Sequence, residues 1–365
     1  QIGMLPLIIY FQYEAPAFSF LANVAAVPLA TCAFTLAFLL IFLSYTVFHE
    51  AISWMIQGVL WISRQSYGML TIGHVPFLWV LLFYFMTGLW IWKKNGQNRH
   101  IRISLAYVIM IILIWIPMAR RKSLAFLDVG QGDCFVADTK SGAIIFDGGS
   151  SSEDQVGRYR ILPYMKYLGY QKIQIAVISH MDIDHYSGIK ELLEMGKIKY
   201  LGLPEIPKDE TMKKIIGIAK KRGTTIFYLS RGRQITTKDG SLKVLHPQKN
   251  SQMEKNAASL VMQGKILGYR VLLTGDVEKE GEEELLSEEL ERADILKAAH
   301  HGSKNSTSNE FLQKVQPKQT VISCGKQNRY GHPHLETIHR LQTYRTKIYR
   351  TDRSGAIIFF KRRDG

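Results

Sequence analysis

An uncharged stretch of 34 residues, Ala15 to Phe48, constrains the fold of this chain more than any other feature. Within it, Leu21–Leu43 is long enough to cross about 30 Å of hydrocarbon as an α-helix. Val75–Trp92 and Ile103–Met118 are two further uncharged apolar runs, with aromatic residues near their ends that are typical of interface anchors. Three such runs so close together disfavour the alternative, buried helices of a large soluble protein. The sequence therefore predicts α-helical membrane segments and a multi-pass protein of the cell membrane.

The loops between these runs predict the orientation of the chain. Loop 93–102 carries four Lys or Arg residues, whereas 49–74 carries only Arg64, so the positive-inside rule places loop 93–102 in the cytoplasm. The last segment then runs outward and leaves everything after Met118 extracellular, although the basic residues at 120–122 oppose this orientation. Ala51–Ile62 is too short to span, and we expect it to lie at the interface or to re-enter the membrane.

Charge divides the chain into two parts. Residues 1–118 hold five of the 46 Lys and Arg residues and two of the 31 Asp and Glu residues, so nearly all the charge lies in 119–365. We predict a C-terminal part of a polytopic membrane domain over 1–118 and a folded soluble domain over 119–365, and the 47% hydrophobic content excludes disorder. Because the chain begins at Gln1 inside apolar sequence, we expect it to be the C-terminal piece of a longer protein.

The second part begins as a β-meander and continues as strands mixed with helices, which predicts an α/β domain with helices covering sheets. Strands are predicted at Leu124–Val129, Cys134–Ala137, Ala143–Asp147, Ile173–Ser179, Leu260–Met262, Val271–Thr274, Ile295–Ala299, Thr320–Ser323 and Ala356–Phe360. Helices are predicted at Tyr159–Leu168, Ile189–Met195, Glu280–Glu291, Asn309–Val315 and Glu336–Thr343.

Ligand-type residues are concentrated in the motif SHMDIDH, directly after a buried apolar strand. His180, Asp182, Asp184 and His185 lie within six positions. In an extended segment, residues two apart project to the same side, so the first three are expected to converge on one point and His185 on an adjacent one. Imidazoles and carboxylates clustered in this way predict a divalent-metal site, since the same carboxylates buried in a structural loop would need several partners each.

Three later segments present further ligands where predicted strands end or loops follow. Asp276 ends RVLLTGD, His300 and His301 follow DILKAA, and His332 and His334 lie in RYGHPH. Taken singly, such an Asp is more often a helix N-cap and such a His a surface or satisfied core residue. The recurrence of a strand whose C-terminal end presents a ligand is what predicts one shared site.

At these motifs the chain resembles the C-terminal part of ComEC-type competence proteins, bacterial DNA-uptake channels with a metallo-β-lactamase-like domain. The matching segments are FLDVGQGD, IIFDGG, SHMDIDHYSGI, NAASLV, LLTGD, LKAAHHGS and RYGHPH, in this order. The resemblance implies a four-layered αββα sandwich, a two-metal hydrolase site, and a role in taking up DNA while the non-transported strand is degraded outside. The partners that it implies are single-stranded DNA bound without sequence preference, the membrane, and other components of the uptake machinery.

The resemblance also assigns ligands residue by residue. His180 and Asp182 would bind a first ion, Asp276 would bridge, and Asp184, His185 and His301, with His300 as the alternative to His301, would bind a second. The chain departs from the superfamily pattern at Asp182, where a second His is usual, and Asn256 stands where a further His would complete the first position. Fewer imidazoles and an added carboxylate shift the expected pair of ions from Zn²⁺ towards Mn²⁺.

The remaining motif residues receive supporting roles. Asp184 and His332 are the residues predicted to be catalytic, and His332 or His334 would protonate the leaving oxygen or hold the phosphate. Asp147 resembles a carboxylate that braces the ligand loop of this fold. Gln131–Asp133 is interpreted as a turn and not as a phosphate cradle, since no helix N-terminus follows it.

Basic residues outside the ligands favour a polyanionic substrate, with solvated helix faces as the alternative. They are Lys208, Lys213, Lys214, Lys220, Lys221, Arg222, Arg231, Arg233, Arg345, Lys347, Arg350, Arg353, Lys361, Arg362 and Arg363. The sequence thus predicts a channel subunit with an external metal-dependent nuclease domain. Two alternatives stay open: a catalytically silent DNA-guiding domain on a channel, and a membrane-anchored phosphodiesterase acting on another surface polymer.

Overall fold

The computed structural model describes residues 2–16, 19–43, 46–64, 68–92, 101, 104–105, 108, 121–288 and 290–362. The chain divides into two compact units, Gln1–Met118 and Ala119–Gly365, called units 1 and 2 below.

Unit 1 is helical, with one short pair of strands. Its helices are α1 (Leu5–Gln12), α2 (Ser19–Leu43), α3 (Thr46–Arg64) and α4 (Phe77–Trp92), and its strands are β1 (Glu14–Pro16) and β2 (Met69–Thr71). The two strands pair antiparallel, and α2 packs against α3, where Gly58 lies opposite Leu29.

Helix α2 contains the window Ala22–Leu39, and among the described residues it is the one helix long and apolar enough to cross a membrane. The second predicted segment forms α4, which has 16 residues and is therefore about 24 Å long, short of the hydrocarbon thickness. The third predicted segment and the basic loop 93–102 fall almost wholly outside the described residues. The short run predicted at Ala51–Ile62 belongs to the longer helix α3.

Unit 2 contains two seven-stranded sheets. Their strands are β3 (Ser123–Phe126), β4 (Phe135–Thr139), β5 (Gly142–Phe146), β6 (Ile173–Val177), β7 (Ile198–Pro204), β8 (Thr225–Leu229), β9 (Gln234–Thr237), β10 (Gly240–His246), β11 (Val261–Ile266), β12 (Tyr269–Leu273), β13 (Ile295–Lys297), β14 (Gln319–Ile322), β15 (Lys347–Arg350) and β16 (Ile357–Phe360). The first sheet has the order β16-β3-β4-β5-β6-β7-β8 and the second β15-β14-β13-β12-β11-β10-β9.

Helices cover the outer face of each sheet. They are α5 (Leu162–Tyr167), α6 (Ile183–Glu194), α7 (Glu210–Lys221), α8 (Lys279–Leu286), α9 (Asn309–Val315), α10 (Leu335–Thr343) and α11 (Thr351–Ser354). One core lies between the sheets, with Phe126 and Phe135 of the first sheet in the same cluster as Met262 and Leu273 of the second. Two further cores lie beneath the helices, one for each sheet. The predicted αββα sandwich is confirmed.

The local predictions differ from the structure mainly at boundaries. Helix α6 begins at Ile183 and not at Ile189, and the helix predicted over Glu280–Glu291 ends at Leu286. The predicted helix Tyr159–Leu168 starts with a π-helical turn, Gly157–Ile161. Strands β7 to β10 and β15 and helices α7 and α11 have no predicted counterpart.

Strand direction determines where loops meet. The neighbours β5, β6, β7 and β8 are parallel, as are β12, β13, β14 and β15. The carboxyl ends of parallel strands lie at one edge of a sheet, where sites usually form in α/β proteins. Asp147, Ile178, Thr274 and Ala298 begin the segments that follow four of these strands.

Two glycines let these loops contact each other through their backbones. Gly149 N donates to Asp133 O at 3.1 Å, and Asp133 N donates to Asp184 O at 3.0 Å. A Cβ on Gly132 would lie 2.7 Å from Asp184 O, and one on Gly149 would lie 2.5 Å from Ile183 O. The turns GQGD and DGG thus hold the first turn of α6 at distances that side chains would not permit.

We expect Gly132→Ala to lower the unfolding free energy of unit 2 by about 1–3 kcal/mol, because the added methyl group displaces the backbone of the ligand loop. Gly217→Ala is the matched control, since Gly217 lies in α7 with open space around its Cβ direction, and should stabilise by up to about 1 kcal/mol. Thermal unfolding of the purified chain measures both variants. Equal melting temperatures would show that the turn tolerates a side chain.

Candidate metal centre

The ligand loop follows β6, bends at residues 179–181 and leads directly into α6. Asp182 has β backbone angles and is the N-cap of α6, so Asp184 and His185 lie in the first helical turn. The expectation that His180, Asp182 and Asp184 project to one side of an extended segment was therefore wrong. Helical geometry instead turns Asp184 and His185 together towards the segments that follow β12 and β13, where Asp276 and His301 lie.

His185 is the centre of the cluster and is fully buried. Its Nδ1 lies 3.0 Å from Asp147 Oδ2, while Asp147 Oδ1 accepts a hydrogen bond from Ser179 N at 2.7 Å. Its Nε2 lies 3.2 Å from Asp276 Oδ2. A carboxylate at Nδ1 favours the tautomer that leaves Nε2 free as a ligand, which is the usual arrangement around a metal-binding imidazole.

His301 and His300 have different surroundings although they are neighbours. His301 is buried, and its Nδ1 donates a hydrogen bond to Ser323 O at 2.9 Å. This bond orients the ring so that Nε2 lies 3.4 Å from both Asp184 Oδ2 and Asp276 Oδ2. His300 is partly exposed and lies 2.9 Å from Glu278 Oε1 through Nδ1. The geometry therefore brings His301 to the centre and leaves His300 at the rim.

His180 and Asp182 form the other side of the cluster. His180 is fully buried, its Nδ1 lies 3.0 Å from Ser179 Oγ, and its Nε2 lies 3.4 Å from Asp182 Oδ2. The other oxygen of Asp182 lies 2.6 Å from Lys255 Nζ. Asn256 does not contact His180; its amide donates to Glu278 Oε1 at 3.5 Å.

Two residues of the cluster were missed by sequence reasoning. Lys297, buried at the end of β13, contacts the carboxylate of Asp133, donates to Gly275 O at 2.9 Å and lies 3.4 Å from Asp276 Oδ1. Asp133 also lies 3.5 Å from His301 Nδ1, so the GQGD turn has a role in the site beyond chain reversal. A lysine inside the apolar run ILKAA is the signal that could have identified the pair.

Neighbouring charges outweigh burial in setting the pKa values of these groups. Burial alone would raise the pKa of Asp133, but Lys297 and then His301 lower it to about 2. Burial alone would lower the pKa of His301, but Asp276 and Asp133 raise it to about 10. Burial opposes the shifts at His185 and Asp276 as well, and their mutual attraction raises the pKa of His185 and lowers that of Asp276.

The donor set fits divalent ions. Among the described residues, the buried Nε2 atoms of His180, His185 and His301 make no hydrogen bond, and buried polar atoms are rarely left so. His180, His185 and Asp276 offer ligand atoms within 4.8 Å of one another, and so do Asp184, His185 and His301. Three imidazole nitrogens directed at shared carboxylates form the coordination sphere that Zn²⁺ or Mn²⁺ uses in proteins.

The loop before α10 closes one side of this cluster with two more imidazoles. The ring centre of His332 lies 6.1 Å from that of His301 and 4.9 Å from that of His334. Burial, and then the charges of His301, His300 and His334, lower the pKa of His332 to about 4, so it is neutral at pH 7. Nδ1 of His334 accepts a hydrogen bond from Lys304 N at 3.1 Å, and this bond fixes the orientation of the ring.

Two protein families match successive parts of the chain. Residues 1–97 match the Competence protein family, and 127–326 match the Metallo-beta-lactamase superfamily. The whole chain is 32% identical to ComE operon protein 3 of Bacillus subtilis and spans 51% of it. The chain belongs to the ComEC-type competence protein family. It thus covers about half the length of that relative.

Two further proteins match part of the chain. The ComEC-type chain is 30% identical, over 65% of its length, to Competence protein ComA of Neisseria gonorrhoeae, of which it spans 32%. Among solved structures, it is similar to the metallo-beta-lactamase fold protein YhfI of Bacillus subtilis, with 12% identity, a TM-score of 0.46, and coverage of 65% of this chain and 99% of that one.

We expect Lys297→Met to cost about 3–5 kcal/mol of unfolding free energy without metal, because Asp133 and Asp276 lose their buried cation. Adding Mn²⁺ should recover part of this loss, since the ion offsets the same carboxylates. Lys318→Met is the control, because Lys318 is an exposed partner of Asp294 and should cost under about 1 kcal/mol. Denaturant unfolding with and without Mn²⁺ measures both, and an equal cost in both variants would contradict the role assigned to Lys297.

Asp184→Asn should weaken metal binding at least tenfold, because it deletes one ligand charge. The fold should be little affected, because the substitution keeps the size of the side chain. Glu194→Gln, at the exposed far end of α6, makes the same chemical change and should leave metal binding unchanged. Metal content by mass spectrometry after dialysis compares the two. Full metal content in Asp184→Asn would exclude Asp184 as a ligand.

Proposed function

We propose that unit 2 is the metal-dependent nuclease of a DNA-uptake protein and that it degrades the non-transported strand outside the cell. The observation that carries this proposal is the buried cluster around His185, in which three imidazole nitrogens face the carboxylates of Asp184 and Asp276. Within the described part of the chain no hydrogen bond satisfies those nitrogens. Such a cluster supports hydrolysis. Membership of the competence family supports DNA as the polymer.

The proposed ions are two Mn²⁺ or Zn²⁺, with Mn²⁺ favoured by the carboxylate-rich donor set. His180 and Asp182 would hold one, Asp184, His185 and His301 the other, and Asp276 would bridge them. When bound, such ions supply a nucleophilic hydroxide at neutral pH and polarise a phosphodiester oxygen. Asp147 and Ser323 O hold the imidazoles of His185 and His301 in the orientations that this chemistry needs.

His332 is the residue proposed to contact the phosphate. Its ring centre lies 5.6 Å from that of His300 and 6.1 Å from that of His301. Its low pKa leaves it neutral at pH 7, which favours donation of a hydrogen bond to a phosphate oxygen over protonation of the leaving group. Asn328 fixes the loop, because its side chain accepts from His332 N at 2.9 Å and donates to His332 O at 2.6 Å.

The exposed basic residues of unit 2 support binding of a polyanion such as a phosphate backbone. Most of the basic residues that the sequence singles out are exposed, including Lys213, Lys220 and Arg345. Arg231 and Arg350 are exceptions, because Arg231 pairs with Glu284 and Glu288 and Arg350 with Asp352. Contacts to backbone phosphates carry no sequence information, so cleavage without sequence preference is the behaviour expected of a surface that binds the backbone.

Incubation of the purified full chain with labelled single-stranded DNA should give fragments in Mn²⁺ and none in chelator. His301→Gln should abolish cleavage, because it removes a central ligand, whereas His339→Gln on the exposed face of α10 should cleave normally. A denaturing gel measures the fragments. Intact DNA in protein that has bound Mn²⁺ would favour the silent DNA-guiding alternative.

Unit 2 is proposed to face outward, following the positive-inside rule applied to loop 93–102. Protease added to intact protoplasts of cells that make the chain with a C-terminal tag should therefore remove the tag. A cytoplasmic protein in the same cells is the control and should survive until lysis. Protection of the tag in intact protoplasts would reverse the orientation and would place degradation on the cytoplasmic side.

A further inference from the structure

The segment before β11 brings a lysine to the ligand loop. Lys255 Nζ lies 2.6 Å from Asp182 Oδ1 and 3.0 Å from Met181 O. Asp182 occupies the position where the superfamily pattern usually has a His, which could not form such an ion pair when neutral. A cation of the protein itself therefore already engages the carboxylate that distinguishes this chain.

The rest of that position has the features of an ion site. His180 Nε2 is buried, has no hydrogen bond among the described residues, and lies 3.4 Å from the second oxygen of Asp182. The same imidazole offers a ligand atom within 4.8 Å of ligand atoms of His185 and Asp276. Apart from the ion pair with Lys255, these groups are arranged to coordinate an ion without rearrangement.

Lys255 can leave Asp182 without unfolding. The side chain of Lys255 is 46% exposed and that of Asp182 is 37% exposed. Both line a cleft of about 710 Å³ that also contains four glutamates, Glu254, Glu278, Glu280 and Glu283. The cleft thus offers solvent and alternative carboxylates to the ammonium group once it leaves Asp182.

We propose that Lys255 competes with a divalent ion for Asp182, so that the ion held by His180 and Asp182 binds only when Lys255 is released. The proposal rests on the proposed function, in which the site accepts two ions. Asp184, His185 and His301 have no such competitor in the described structure, and their ion binds first. A half-exposed, charge-assisted pair of this kind should weaken the second ion by about tenfold.

Calorimetric titration of the metal-stripped full chain with Mn²⁺ alone tests this competition. In wild type we expect two binding steps, the second weaker. Lys255→Met should tighten the second step about tenfold and leave the first unchanged, because the competing charge is gone. Lys255→Arg keeps the charge and should behave as wild type. Lys249→Met is the matched control, since Lys249 is an exposed lysine paired with Glu205 and away from Asp182.

The outcomes separate this proposal from the hydrolase proposal. An unchanged or weakened second step in Lys255→Met would overturn the competition. A single Mn²⁺ step in every variant would also overturn it, while leaving a one-ion hydrolase intact. No Mn²⁺ binding in any variant would overturn both. A tightened second step in Lys255→Met, absent from Lys249→Met and Lys255→Arg, would establish the competition whether or not DNA is cleaved.

Discussion

The burial of carboxylates in the loops that form the candidate metal centre is the constraint on which the rest of unit 2 depends. Asp133, Asp147 and Asp276 are each at most 4% exposed and come from three different loops. Isolated buried carboxylates would be neutralised or would unfold the loops that carry them. Lys297 and the protonated imidazoles of His185 and His301 offset their charge, and divalent ions bound in the cluster would take over that role by replacing the imidazole protons.

This requirement explains several local features that would otherwise be costly. His300 and His301 both have left-handed backbone angles, with φ of 48° and 53°, a conformation that costs non-glycine residues about 1–3 kcal/mol each. From this turn His301 Nε2 lies 3.4 Å from both Asp184 Oδ2 and Asp276 Oδ2, and these contacts offset the cost. The glycines of GQGD and DGG serve the same end, since they let the loops that carry Asp133 and Asp147 contact the first turn of α6.

The sequence predicts the architecture and the identity of most groups in the site, and it fails where three-dimensional context decides. Alternation and turn residues predict the αββα layers, and ligand-type residues at strand ends predict the cluster around His185. The start of α6 was misplaced because SHMDIDH has no helical periodicity, although Asp182 as N-cap was available as a signal. The roles of Asp133 and Lys297 were missed because the two residues are 164 positions apart, and the lysine in ILKAA indicates a buried partner without saying which residue it is.

The central claim, that the cluster around His185 is a divalent-metal centre, is tested most directly by anomalous X-ray scattering from crystals of the full chain grown with Mn²⁺. We predict an anomalous peak bound by His185 Nε2, His301 Nε2 and the carboxylates of Asp184 and Asp276. The ion would then occupy the space between nitrogens that have no hydrogen bond. A map without a peak at these atoms would contradict the account, whether or not the crystals contain Mn²⁺ elsewhere.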